Sequence, residues 1–140
     1  MLTLSEINGK PFCIMKRIIQ TTDAPEPIGP YSQAIFINNT LYTSGQIALE
    51  PGSGKLILDT IANETEQVMK NLKAVLACEN MTFDNVVKST IYITNMDDFG
   101  AINEVYGSCF KDSYAPARET VQVVKLPKNV NVEISVIAYK

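Results

Sequence analysis

Between residues 59 and 78 the apolar side chains stop alternating and recur in steps of three and four. Ile61, Thr65, Val68, Met69, Leu72, Val75 and Leu76 form one stripe, the pattern of an amphipathic helix with one face in a core. Glu64, Glu66, Gln67, Lys70, Asn71 and Lys73 fill the other positions and are expected to be wet. Cys78, at the end of the run, is expected to be a small buried hydrophobe. The flanking segments are short and β-rich, so the helix must lie on a sheet that the rest of the chain supplies.

The strands follow from the same periodicity. Residues 15–19 run into a first strand, and residues 32–37 and 41–47 flank Asn38-Asn39-Thr40, a hairpin signal because Asn tolerates positive φ. Residues 86–94 are rich in β-branched side chains. Asn95 can cap a second helix with Asp97 and Asp98 in its first turn and Phe99, Ile102, Tyr106 and Phe110 on its buried face. Ala115-Pro116-Ala117 interrupts the pattern, and residues 119–125 return to strand. Over residues 130–139, Val130, Val132, Ile134, Val136 and Ala138 alternate with Asn131, Glu133, Ser135, Ile137 and Tyr139. The predicted order is β-β-β-α-β-α-β-β, an α+β chain with two helices on one face of a sheet. Ile35, Ile37, Ile137 and Tyr139 then fall on the uncovered face, which is too apolar for a monomer and calls for self-association.

At 140 residues the chain has the length of one domain. Met15-Lys16-Arg17 reads as a second natural start, so residues 1–14 are expected to be an irregular extension, disordered or loosely docked, and residues 15–140 the domain. Asp23-Ala24-Pro25-Glu26-Pro27-Ile28-Gly29-Pro30 cannot join a ladder and should cross the surface or border a cleft. Cys13, Cys78 and Cys109 form no CxxC pair and no disulfide framework. With 12 Lys+Arg against 15 Asp+Glu and no basic cluster, the chain is not built for nucleic acid. No apolar run approaches the roughly 18–20 residues of a membrane span, and the N-terminus is a poor signal peptide. These features place the protein in the cytoplasm. The sequence has no histidine. Ser-His and Cys-His nucleophile pairs are therefore excluded, and a metal site would lack its commonest ligand.

Chemistry is left to carboxylates, Arg, Tyr, hydroxyls, thiols and backbone groups. Arg118, at the mouth of a strand, can present a planar fork to a carboxylate, or simply make a surface ion pair. Glu133, between Val132 and Ile134, is a candidate for proton transfer if desolvated, or else a wet-face carboxylate. Gly45, in Ser44-Gly45-Gln46, marks either a close backbone approach or a kink. Tyr31, after Gly29-Pro30, projects a phenol towards a cleft or packs.

Taken together these residues are specific. Ile28-Gly29-Pro30-Tyr31-Ser32-Gln33-Ala34, Thr43-Ser44-Gly45-Gln46-Ile47, Asn71-Leu72-Lys73-Ala74-Val75-Leu76, Asn95-Met96-Asp97-Asp98-Phe99, Ile102-Asn103-Glu104-Val105-Tyr106, Pro116-Ala117-Arg118, Leu126-Pro127-Lys128 and Val132-Glu133-Ile134 stand in order along residues 15–140. The chain thereby resembles the RidA/YjgF reactive-intermediate (enamine/imine) deaminase family. The resemblance implies a chorismate-mutase-like α+β fold, with a mixed sheet and two helices on one face, assembled as a homotrimer with sites between subunits. It implies hydrolysis of 2-imino acids such as 2-iminobutanoate and 2-iminopropanoate, tautomers of enamines released by pyridoxal-phosphate dehydratases, to 2-keto acids and ammonia, without cofactor or metal. Residue by residue, it assigns substrate-carboxylate binding to Arg118 and water activation to Glu133. The backbone at Gly45 and Thr120 would bond the imine and the water, with Tyr31, Ser44 and Asn103 shaping the pocket. Thr120 stands where many members carry Cys, and Gln122 where many carry Glu. The competing expectations are a non-catalytic trimer that binds small carboxylates such as 2-keto acids and, more weakly, a translation inhibitor or endoribonuclease. The latter would have to act without histidine or a basic face.

Overall fold

The computed structural model describes residues 5–7, 10–12 and 15–140. Six strands, β3 (Arg17–Ile19), β4 (Ala34–Ile37), β5 (Thr40–Thr43), β6 (Val86–Ile93), β7 (Ala117–Gln122) and β8 (Val132–Tyr139), make one sheet in the order β3-β4-β5-β8-β6-β7. All neighbours are antiparallel except β6 and β7, which run parallel and are connected through α2 (Phe99–Ser108). The mixed α+β fold expected from the sequence is the one observed. Before it, β1 (Ser5–Ile7) and β2 (Lys10–Phe12) pair as a separate antiparallel ribbon. The irregular extension expected over residues 1–14 thus contains a ribbon at its six described positions, and its other residues lie outside those described.

The local reasons are plain. Asn38 (φ 48°) and Asn39 (φ 61°) form a two-residue left-handed turn matched to strand twist, so β5 begins at Thr40 and the hairpin register is fixed. Helix α1 (Ile61–Ala77) starts at Thr60, whose side chain accepts from the Asn63 N–H. Its predicted stripe is buried at Val68, Met69, Leu72, Val75 and Leu76. These residues pack with Ile102 and Tyr106 of α2 and with Leu41, Ile91, Ile93, Val132, Ile134, Val136 and Ala138 of the sheet. Both helices cover this one face. Among the described residues no helix is long and apolar enough to cross a membrane.

Several expectations need correction. Glu64 and Asn71, expected to be wet, are fully buried. Asn71 Nδ2 donates to the carbonyls of Ile47 and Leu49 at 3.0 Å each, and Glu64 accepts from the start of β8. Each holds chain that has no ladder partner. Cys78 is exposed because it caps the C-terminus of α1 beyond the packed stripe. Phe99 is exposed because the chain enters α2 through a short 3₁₀ turn, Met96–Asp98, capped by Asn95. The strand expected over residues 41–47 ends at Thr43, and Gln46 makes only an isolated bridge to Ile134. Strand β7 begins two residues earlier than predicted and ends at Gln122, so Arg118 lies within it.

Among the described residues the other face carries no helix. Register aligns Ile18, Ile35, Tyr42 and Ile137 in one row across four strands and Val121, Tyr92 and Glu133 in another. Ile18, Tyr42, Tyr92, Val121 and Tyr139 are exposed, a larger contiguous apolar surface than single scattered hydrophobes make. At one end of the sheet the buried Glu79 carboxylate accepts from Arg17 Nη2 at 2.6 Å and Lys140 Nζ at 3.3 Å. Both cations also lie 4.9 Å from the centroid of the Phe36 ring.

Candidate functional site

The candidate residues fall into two groups, separated by the sheet. On the helix face, Arg118 pairs in register with Ser89 of β6 and points under α2. Its Nη1 donates to Asn103 Oδ1 at 2.5 Å. Its guanidinium lies 5.6 Å from the Phe99 ring centroid and 5.1 Å from that of Tyr106, within cation–π range. Tyr106 is itself fixed by donating to Ser89 Oγ at 2.9 Å in the core, and burial pushes its phenol up, keeping it neutral. Among the described residues no carboxylate pairs with Arg118. Arg118 and Asn103 line a cavity of about 500 Å³ with Tyr106, Phe110, Ala115 and Pro116. Thr120, two residues along the same face, has a buried Oγ with no hydrogen-bond partner among the described residues. This half of the site is a rigid guanidinium with its fork free for an anion.

On the open face, Glu133 stands beside Gly45. A Cβ at Gly45 would lie 2.2 Å from Glu133 Oε1 and 2.9 Å from its Cγ, so any larger residue here must displace the Glu133 side chain. The backbone at Ser44-Gly45-Gln46 approaches a side chain of its own chain, Glu133. Reciprocal backbone bonds between Gln46 and Ile134, 2.8 and 3.1 Å, hold the two segments together. Ser44 Oγ donates to the Ser32 carbonyl at 2.5 Å, tying this corner to the segment that carries Tyr31. Tyr31 is exposed, and its hydroxyl accepts from the Ile28 N–H at 3.3 Å. Burial raises the Glu133 carboxyl above the ordinary carboxylate range, and no described residue hydrogen-bonds to it.

Strand parity places the two groups on opposite faces. Glu133 aligns with Tyr92 and Val121, whereas Arg118 aligns with Ser89 and Val136. Gly45 and Glu133 come together beside Ser44, with Tyr31 one residue from the Ser32 carbonyl that Ser44 holds. Asn103 and Arg118 come together with Thr120 further along the same strand face, and the two groups do not meet within one chain. Phe99 and Tyr106, which hold Arg118, were legible only as helix-face apolars; their i, i+7 spacing was the available signal. Gln33 was missed altogether. Its side chain is buried, accepts from the Thr21 N–H at 2.6 Å and donates to the carbonyls of Thr21, Ala24 and Pro25, pinning the proline-rich segment ahead of Tyr31. A groove of about 740 Å³ between α1 and α2 holds none of the candidate residues.

Residues 21–140 match the family described as Endoribonuclease L-PSP. The 2-iminobutanoate/2-iminopropanoate deaminase of Mus musculus is 45% identical over 125 residues, 89% of this chain and 92% of that one. A Rid-family protein of Yersinia pestis, YyfA, superposes with a TM-score of 0.87 at 48% identity, covering 90% of this chain and all of that one. The E. coli TdcF structure with bound serine superposes with a TM-score of 0.83 at 36% identity over 89% and 98% of the two chains. Fold, motif order and identity over nine-tenths of the sequence agree: the chain belongs to the Rid (RidA/YjgF, L-PSP) family.

Proposed function

We propose that this protein hydrolyses 2-imino acids to 2-keto acids and ammonia in clefts between neighbouring copies of a homotrimer. The observation that carries the reading is the separation of Arg118 and Glu133 onto opposite faces of one sheet, each without an ionic partner among the described residues. A second copy docked on the apolar open face can bring the Arg118 half of one subunit to the Glu133 half of the next.

The chemistry suits these groups. Arg118 binds the substrate carboxylate as a charge-assisted pair, and Asn103 keeps its fork oriented. Glu133 accepts a proton from water as the water oxygen bonds to C2 of the iminium. The protonated Glu133 returns that proton to the nitrogen of the carbinolamine. The C–N bond then breaks, ammonia leaves, and the hydroxyl gives its proton back to Glu133 as its oxygen becomes the C=O of the keto acid. An iminium carbon is already electrophilic, so orientation and mild proton transfer suffice. Burial that raises the Glu133 carboxyl brings it nearer to useful basicity at neutral pH.

A second reading, carboxylate binding without hydrolysis, is favoured by the serine held by the TdcF relative. One assay separates them. A pyridoxal-phosphate dehydratase generates the imine in situ, and ammonia release is followed with and without this protein. Arg118→Ala should lower the effect by roughly a hundredfold, the scale of one lost charged hydrogen-bond pair. Glu133→Gln should slow turnover while carboxylate binding persists. Acceleration that is equal for wild type and Arg118→Ala would remove the deaminase reading. Binding without acceleration would leave the carboxylate-binding one.

A further inference from the structure

Along one edge of β8, three alternate N–H groups find acceptors outside a regular ladder. Val132 donates to Glu64 Oε1 at 3.2 Å, Ile134 to the Gln46 carbonyl at 3.1 Å and Val136 to Thr43 Oγ at 2.9 Å. Strand β5 pairs with β8 only at Ile137, Ala138 and Tyr139. The sheet is therefore open beside residues 132–136, and through this opening Gly45 reaches Glu133. Glu64 is the acceptor furthest upstream. Its carboxylate also takes the Asn131 N–H at 2.7 Å and Asn131 Nδ2 at 2.8 Å. It is fully buried, and no described cation pairs with it. All three groups facing it are donors, which explains why an acceptor-only side chain stands there.

The chain enters β8 from a 3₁₀ turn in which Lys128 and Asn129 are both left-handed, φ 56° and 57°. The course of the strand is therefore set where Glu64 takes hold of residues 131 and 132, immediately before Glu133.

We propose that Glu64 is a positioning residue for Glu133: by fixing the backbone of Asn131 and Val132 from helix α1, it sets where the Glu133 carboxylate stands over Gly45. The proposal rests on the reading of Glu133 as the group that activates water. It extends the site into the core, to a residue that touches no substrate.

The test reverses the polarity of one hydrogen bond. In Asn131→Asp a second carboxylate faces the Glu64 oxygen that accepts from Asn131 Nδ2, an acceptor–acceptor conflict that rotation of neither group removes. In Glu64→Gln/Asn131→Asp the amide oxygen still accepts from both backbone N–H groups and its NH₂ donates to the new carboxylate. Turnover in the imine assay and the ¹³C resonance of the Glu133 carboxyl are measured for wild type and both variants. Asn131→Asp should lose roughly ten- to a hundredfold in kcat with KM held, as a misplaced catalytic group does, and its Glu133 resonance should move. The double variant should recover both.

A folded Asn131→Asp protein with unchanged kcat and resonance overturns the proposal. So does a double variant that regains thermal stability but neither turnover nor resonance. If Asn131→Asp does not fold, Asn131→Ala removes one of the three bonds; about a threefold fall in kcat, the cost of one modest hydrogen bond, supports the proposal and no change overturns it. Should wild type release no ammonia, the deaminase reading fails by itself. The resonance then still decides: movement with Asn131→Asp and return with the double variant uphold the role, and a stationary signal ends it.

Discussion

The two faces of the sheet are built to different degrees of completion. On the helix face, Ser89, Ile91, Ile93, Val132, Ile134, Val136 and Ala138 are buried by α1 and α2, and Arg118 is already held by Asn103, Phe99 and Tyr106. On the other, Ile18, Tyr42, Tyr92, Val121 and Tyr139 stand exposed, and Glu133, in register with Tyr92, has no side-chain hydrogen bond among the described residues. The first face is covered by the chain's own helices, and the second is not covered by any described helix. Substitutions in the packed core of the helix face should therefore act chiefly on stability, and substitutions on the open face on assembly and activity with the fold intact.

The largest expected effect breaks the second face alone. Tyr42→Asp/Ile137→Asp puts two charges into the middle of the apolar row. Sedimentation should give the mass of one chain with its circular dichroism retained, and imine hydrolysis should vanish. A monomer that remains fully active would end the shared-cleft reading. The converse variant, Leu72→Ala, removes a fully buried side chain from α1. It should cost about 2–5 kcal/mol by denaturant unfolding while leaving kcat within about twofold at temperatures where the protein stays folded, since no candidate residue contacts a reacting atom through it.

Gly45→Ala tests the contact that defines the open-face half. The added methyl must push the Glu133 carboxylate aside, so kcat should fall roughly tenfold or more through misalignment with the fold intact. The smallest effects are in pH. If Glu133 is the base, activity should decline on acidification with a midpoint above about 4.3, where exposed glutamates titrate, because burial raises its carboxyl. The sign for stability is opposite. The folded chain holds this proton more tightly than the unfolded one, so the group favours folding below its unfolded value, and that advantage is lost as pH rises through its folded value. In the monomeric open-face variant, adding Glu133→Gln should therefore raise the thermal midpoint at pH 7 and change little at pH 3.

Much of the first face was legible in the sequence. The stripe of α1 and the alternation of Val132, Ile134, Val136 and Ala138 are periodic signals, and both appear as buried rows. The Asn38-Asn39 turn was readable because its residue types report φ directly. What periodicity could not show is which polar residue reaches distant backbone. Glu64 borders the apolar stripe, one turn before Val68, while Glu66 lies on the opposite, exposed side. The wheel can set Glu64 at the edge of the core, but it cannot name its partner, Asn131, 67 positions away. Asn71 and Gln33 were hidden in the same way, since their partners are carbonyls of loops. The two halves of the site were each readable from motifs, but their separation was not, because it depends on the parallel register of β6 and β7.

The Glu79 clasp has one further consequence. Arg17, at the start of the six-stranded unit, and Lys140, at its end, close on the same carboxylate, so the ends of the unit lie side by side. The linear order of the strands is then separable from their arrangement in space. A circular permutant that joins these ends through a short Gly-Ser tether and opens at the exposed Gly52-Ser53-Gly54 turn should rebuild the same sheet, with its new termini well away from Glu79.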